Sequence, residues 1–360
     1  MAMLGCVAES LAVALEWGGA LSAEGMDTVL LLGAPEQPMP EAAAVVVVAP
    51  PDGIAACDAL LAAGARQIVQ AVAADFDPVA TGRLADALVR RLQVGFAPIA
   101  PADPSRGRSV YLGHLFIGSA PAPGEANLPR RLAAGTDEPV GLIPFRVVEE
   151  GTATIRAEMS RMAEWGRRYA VVDALTDAHL RALAEASRAQ ALLIGAAGLA
   201  PGIAGNFPRT GSVTAPPRGP GAVLVGSAAR ETLSQAGLAR LYAPTFDLQA
   251  GEEARDALDW AVPRLSEEAP VVITTSRPFE VVAEVARGLV ASGVTRLLVA
   301  GEEACEAVIA ALGPRVLRLG AETDPGLPWC AVEGSPLHLL LKPGTAGARD
   351  IMLRAFEQPD

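Results

Sequence analysis

A chain of 360 residues that is 51% hydrophobic and 19% charged can build packed cores, which excludes the disordered class. Its length favours two domains, because a single core stops growing near ~250–300 residues. A net charge of −12 excludes non-specific binding to nucleic acid or to anionic membranes and leaves room only for a local basic pocket.

The amino-terminal run is interrupted by Glu9 and Glu16 and carries no basic leader, so neither a signal peptide nor a membrane span is expected, and the cytoplasm follows. Helix Leu11–Ser22 is predicted next, then strands Thr28–Leu32 and Ala44–Val48, helix Ile54–Ala63, strand Gln67–Val72 and helix Pro78–Arg91. Between the last two lies Asp75-Phe76-Asp77, two carboxylates at a strand end that could hold a hydroxylated substrate or a metal; a helix cap by Asp77 is the competing reading. Segments Pro98–Arg108 and Gly118–Asn127 read as functional loops. Arg106 and Arg108 on the first make a carboxylate clamp, since guanidinium binds carboxylates bidentately; solvated surface arginines are the alternative.

Helix Thr152–Arg167, strand Ala170–Val172, helix Asp177–Ser187 and strand Ala191–Ile194 close a first domain over residues 1–210. A Pro/Gly-rich linker at 211–221 leads to a second domain, 222–360. Its strands are predicted at Ala222–Val225, Val271–Thr274, Arg296–Val299, Val316–Leu319 and Leu337–Leu341, with helices at Glu231–Ala236, Gly251–Leu265, Phe279–Ala291 and Glu303–Leu312. Short apolar strands alternating with helices predict an α/β protein of two domains, each a mainly parallel sheet covered by helices on both faces.

Two strand–Gly–helix junctions in the second domain point backbone N–H groups at an anion. Gly226-Ser227 suits one, although any βα unit needs a tight turn and a cap. Gly301 is followed by Glu302 and Glu303, which satisfy the helix end themselves and repel phosphate. Pro325-Gly326 sets a turn before Trp329 that could wall an adenine pocket or simply join two strands. Of 29 basic residues, 28 are arginine; the single lysine, Lys342, closes an apolar strand before Gly344 and Gly347, a position suited to a phosphate oxygen. Cys6, Cys57, Cys305 and Cys330 lack C-x-x-C spacing and His114, His179 and His338 stand alone, so buried free thiols are expected and no metal site.

Read together and in order, Pro101–Phe116, Tyr169–Leu180, Ala191–Ala200, Ala222–Ser227, Gly293–Gly301, Asp324–Trp329 and Leu339–Gly347 resemble the four-carbon acid sugar kinase family over nearly the whole chain. The resemblance implies an amino-terminal domain that binds a sugar acid, through Glu9, Asp77, Gly82 and Arg108. It implies a carboxy-terminal domain that binds ATP with Mg, through Gly226, Ser227, Thr232, Gly301, Gly326, Lys342 and Gly344. No catalytic residue is assigned.

The departures from the family pattern are extensive. D-D-x-T-G-A-x-D is here Glu9-Ser10-Leu11-Ala12-Val13-Ala14-Leu15-Glu16. The K-x-x-S-T-x-D-S-T-x-x-G-N segment keeps Asp77 and Gly82 but loses its lysine, four hydroxyls and Asn. G-G-x-T-S-G has become Gly301-Glu302-Glu303-Ala304-Cys305-Glu306, and K-S-G-N-F-G has become Lys342-Pro343-Gly344-Thr345-Ala346-Gly347. Each lost charge-assisted hydrogen bond is worth ~1.5–3 kcal/mol, so weak ATP binding and weakened or lost phosphoryl transfer to a tetronate-type hydroxyl are expected. The alternative is a catalytically silent relative that binds a sugar acid or a protein partner. A homodimer is common for α/β proteins of this size; neither nucleic acid nor a membrane is an expected partner.

Overall fold

The computed structural model describes residues 3–35, 38–48, 52–209, 211, 218–249, 251–276 and 279–357. Most of the expected linker, residues 212–217, lies outside the described residues. The chain divides into two compact units, Met1–Ser212 and Val213–Asp360.

The strands of unit one are β1 (Met3–Ala8), β2 (Thr28–Leu32), β3 (Ala44–Val48), β4 (Ala65–Ala71), β5 (Ala97–Ala100), β6 (Arg108–Tyr111), β7 (His114–Ile117), β8 (Ala120–Pro121), β9 (Val140–Ile143), β10 (Tyr169–Val172) and β11 (Leu192–Gly195). Strands β6, β7 and β8 form a small antiparallel sheet. The others run parallel in the order β2-β3-β1-β4-β11-β5-β10-β9. Their near-continuous Val, Ile, Leu and Ala content suits strands buried on both faces.

Helices Leu11–Ala23, Thr152–Glu164, Asp177–Ala186 and Ala200–Ala204 pack as one layer, and Gly53–Ala62, Pro78–Leu92 and Leu128–Ala133 as another. From β1 the chain steps outward to β2, returns through β3, and crosses β1 to reach β4. The sheet therefore reverses direction at β1, and ligands of open α/β sheets bind beyond the carboxyl ends at such a point.

The expected loop Pro98–Arg108 is corrected. Its first part is β5, buried in the middle of the sheet despite Pro98. Proline is tolerated because the ladder to β11 begins one residue later, at Ile99. The Gly118–Asn127 segment likewise contains β8.

Unit two contains β12 (Gly221–Val225), β13 (Thr245–Leu248), β14 (Val271–Thr275), β15 (Arg296–Ala300), β16 (Val316–Asp324), β17 (Leu327–Val332) and β18 (His338–Lys342). Its order is β13-β14-β12-β15-β18-β17-β16. The first five are parallel, and β17 pairs antiparallel with both β18 and β16. One face carries Val223, Val225, Val272, Leu298, Ala300, Leu340 and Trp329, packed on Ala236 and Ala239 of helix Arg230–Ala239 and on Ile351, Met352 and Phe356. Helices Ala254–Ala261, Phe279–Ala291 and Glu302–Leu312 pack side by side. The chain leaves β12 for β13, returns through β14, and crosses β12 to β15, so this sheet reverses at β12.

Candidate sugar-acid and nucleotide sites

In unit one the carboxyl ends of β1, β4, β5 and β11 are tied together. The Glu9 N–H donates to Ala71 O at 3.2 Å, Val72 N–H to Gly195 O at 3.0 Å and Ala196 N–H to Ala100 O at 3.0 Å. Trp17, fully buried, donates its indole N–H to Gly195 O at 3.2 Å. Above this seam sit Glu9, Glu16, Asp75, Asp77, Asp103, Arg106 and Arg108. Glu9 accepts from the Ala73 N–H at 2.6 Å, which holds the loop after β4 against the end of β1. Partial desolvation raises the Glu9 carboxyl, opposed by that hydrogen bond and assisted by repulsion from Asp75 and Asp77. Burial likewise raises Glu16, against the pull of Arg106 and Arg108.

The two arginines of the expected clamp are not equivalent. Arg106 donates to buried Asp103 at 2.9 Å and stands 3.5 Å from Glu16. Its charge is consumed within the protein. Half-buried Arg108 makes no side-chain hydrogen bond or ion pair among the described residues, although its charge is close enough to act on Glu16.

Asp77 caps helix Pro78–Leu92, accepting from the Ala80 N–H at 2.6 Å. Gly82 is buried within that helix, where a Cβ would lie 2.3 Å from Gly135 O. Its missing side chain admits the Gly135 backbone, so what the structure gives Gly82 is a packing role.

Three groups that the sequence did not single out support this region. Arg131 donates to the carbonyls of Asp75 and Phe76 and lies over the Phe76 ring, pinning the loop after β4. Buried Asp103 anchors Arg106. Buried Asp173, at the end of β10, accepts from the N–H groups of Leu112, Gly113 and Phe145, each at 2.8 Å. It thereby fixes the β6–β7 turn, where Leu112 adopts φ 48°. A carboxylate directly after an apolar strand, as in Val172-Asp173, is the signal that could have found it.

In unit two a cavity of about 450 Å³ opens at the carboxyl ends of β12, β13 and β14. Gly226, Ser227 and Ala228 line it on one side, Asp247, Leu248 and Gln249 on another, and Thr274, Thr275, Ser276 and Phe279 on a third, with Glu303 also in its wall. Helix Arg230–Ala239 begins at Ala229 without a side-chain cap, so its first N–H groups remain available to an anion. Among the described lining residues the ionisable ones are Asp247 and Glu303, both acidic.

Of the seven residues assigned to the nucleotide, Gly226 and Ser227 line this cavity, whereas Thr232, Gly301, Gly326, Lys342 and Gly344 do not. Gly301, at φ 118°, packs so tightly that a Cβ would sit 2.6 Å from Gly226 O. Glu302 and Glu303 occupy the first turn of the following helix, as the sequence predicts. Lys342 ends β18 and is 0% exposed. Its ammonium donates to Thr232 Oγ1 at 2.9 Å and Gly344 O at 2.8 Å, and burial draws it down to about 8. Gln235 bonds the carbonyls of Ala346, Gly347 and Ala348, stitching the same loop to helix Arg230–Ala239. Gly326, at φ 78°, forms the turn of the β16–β17 hairpin and donates to Glu322 at 2.7 Å.

A family model described as a sugar-binding N-terminal domain matches residues 14–203, and one described as a nucleotide-binding C-terminal domain matches residues 222–352. The chain belongs to the four-carbon acid sugar kinase family. Among its relatives in that family, the 3-oxo-tetronate kinase of Burkholderia multivorans is 34% identical, over 99% of this chain and 97% of its own length. The 3-oxo-tetronate kinase of Salmonella typhimurium is 30% identical over 99% of both chains. A solved structure from Salmonella typhimurium LT2 superposes with a TM-score of 0.91 at 30% identity over 99% of both chains. One from Haemophilus influenzae gives 0.85 at 26% over 98% of both. The Burkholderia alignment spans 419 positions against the 360 residues of this chain, so at least 59 positions are filled by the relative alone.

Proposed function

We propose that this chain is a sugar-acid kinase-family protein in which unit one holds a four-carbon, tetronate-type acid and unit two a nucleotide, with ATP-dependent phosphoryl transfer weakened or lost. The observation that carries the second half is charge. Phosphoryl transfer depends on positioning and on neutralising the phosphates. Here Glu303 stands in the cavity wall, and Lys342 is not among its lining residues, two of its ammonium N–H donors being bonded to Thr232 and Gly344. The names of the relatives support the sugar-acid half, as does the contrast between Arg106, internally paired, and Arg108, open for a carboxylate.

The residues fit a nucleotide unevenly. The Gly226–Ser227 turn and the uncapped helix start suit one phosphate group, while Glu303 opposes added negative charge. Mg is usually held by one or two carboxylates together with substrate phosphates; in this cavity Asp247 and Glu303 are the carboxylates that would supply them. A catalytically silent protein that binds the acid through Arg108 is the second reading, favoured by the same Glu303. Incubation with Mg-ATP and a mixture of tetronates, followed by ADP detection, tests the proposal. Little or no ADP supports it, and turnover at the rate of a 3-oxo-tetronate kinase relative assayed in parallel contradicts it.

A further inference from the structure

We infer that Asp247 reads the ribose of a nucleoside 5′-phosphate bound in the unit-two cavity. The inference deepens, and rests on, the reading of this unit as nucleotide-binding. Asp247 stands in β13, 21 positions after Gly226. A carboxylate about 20 residues beyond a glycine turn, on the next strand of the chain, is the arrangement with which doubly wound folds bind ribose hydroxyls.

The topology here differs from the usual one. β14 is inserted between β12 and β13, so Asp247 lies two strand spacings from the Gly226 turn, about 9.5 Å. A nucleoside 5′-phosphate spans such a gap with its phosphate on the turn and its diol at Asp247. The cavity volume falls within the roughly 300–1,000 Å³ common for small-ligand sites.

The side chain is prepared for this role. Oδ1 of Asp247 receives the Thr274 hydroxyl and the Arg240 guanidinium. These bonds fix the carboxylate, and the Arg240 bond holds it below the usual carboxylate range. Oδ2 has no hydrogen-bond partner among the described residues, and the residue lines the cavity. Gln249, just beyond β13, also lines the cavity, its side-chain N–H bonded to Asp247 O at 3.2 Å. Val225, Leu233, Leu248 and Phe279 supply apolar wall for a base.

Titration of the full chain with AMP, 2′-deoxy-AMP and adenosine 2′,5′-bisphosphate, followed by ligand-observed NMR, tests the inference. AMP is expected to bind about tenfold tighter than either analogue, the effect of one charge-assisted hydrogen bond. Asp247→Asn is expected to shrink that preference to about twofold, while Arg240→Ala, which removes one of the two side chains that fix the carboxylate but leaves the carboxylate itself, is expected to reduce it less. Equal binding of AMP and its deoxy analogue, no binding of any of the three, or a preference that survives Asp247→Asn would each overturn it. The two proposals fail separately. Kinase-level turnover with an intact ribose preference contradicts weakened transfer alone, and absent turnover with no ribose preference contradicts the inference alone.

Discussion

Arg106 and Arg108 are two positions apart and differ in their partners: Arg106 is paired to Asp103, and Arg108 has no side-chain hydrogen bond or ion pair among the described residues. Arg106 neutralises buried Asp103, so Arg106→Ala leaves a buried carboxylate without its cation and should lower stability by about 1–3 kcal/mol, read as the urea midpoint. Arg108→Ala should leave that midpoint nearly unchanged and weaken sugar-acid binding about ten- to a hundredfold, the loss of a charge-assisted pair, read by calorimetry. Equal effects of the two on stability would contradict the assignment. The sequence offered both arginines for one clamp. The difference lies in Glu16, 90 positions earlier in the chain, and in the burial of Asp103, and neither is a local property. Gly82 gives a second residue-scale prediction. Gly82→Ala drives a Cβ against backbone that cannot rotate away, so a loss of several kcal/mol is expected, at the severe end of single substitutions. Stability close to wild type would show that the helix can shift away from Gly135.

Elements were read from the sequence where their signals are local. β2, β3 and helix Phe279–Ala291 end where the apolar pattern ends. The strands read from the sequence omit β1, β5, β6, β7, β8, β9, β13 and β17; length alone does not explain this, since four-residue β10 and β11 were read while six-residue β1 and β17 were not, and Pro98 counted against β5. The strand ending at Lys342 was legible; the fate of its ammonium was not, because the partner Thr232 comes 110 positions earlier. That element makes a pH prediction. The Lys342 amine is drawn to about 8 in the folded protein by burial, against 10.5 ordinarily. Between these values the unfolded chain holds a proton that the folded chain has released, so this group makes stability rise with pH across that window. The stability difference between wild type and Lys342→Met should shift in favour of wild type by about 2 kcal/mol from pH 7.5 to pH 10. A difference independent of pH would show the amine to be solvated.

At the scale of the molecule, the mainly parallel sheets were readable from alternating apolar runs, and the family from its motifs. The open cavity on the β14 side of β12 was not, because it depends on strand order. Burial raises all four thiols, Cys57 to about 11, Cys305 to about 12, and Cys6 and Cys330 further, and raises Tyr169 as well. Above pH 9 the unfolded chain loses these protons while the folded chain keeps them, so stability should fall, four thiols outweighing one amine. A urea midpoint that rises from pH 9 to pH 11 would contradict this burial.

The central claim is that the sugar-acid half of this family fold persists while the triphosphate half has been compromised. Isothermal titration of the purified chain with a tetronate mixture, and separately with Mg-ATP, tests it most directly. Heat with the acid, abolished by Arg108→Ala, together with no ATP binding tighter than about millimolar, is the predicted result. Sub-millimolar Mg-ATP binding followed by ADP production in the presence of the acid would contradict it.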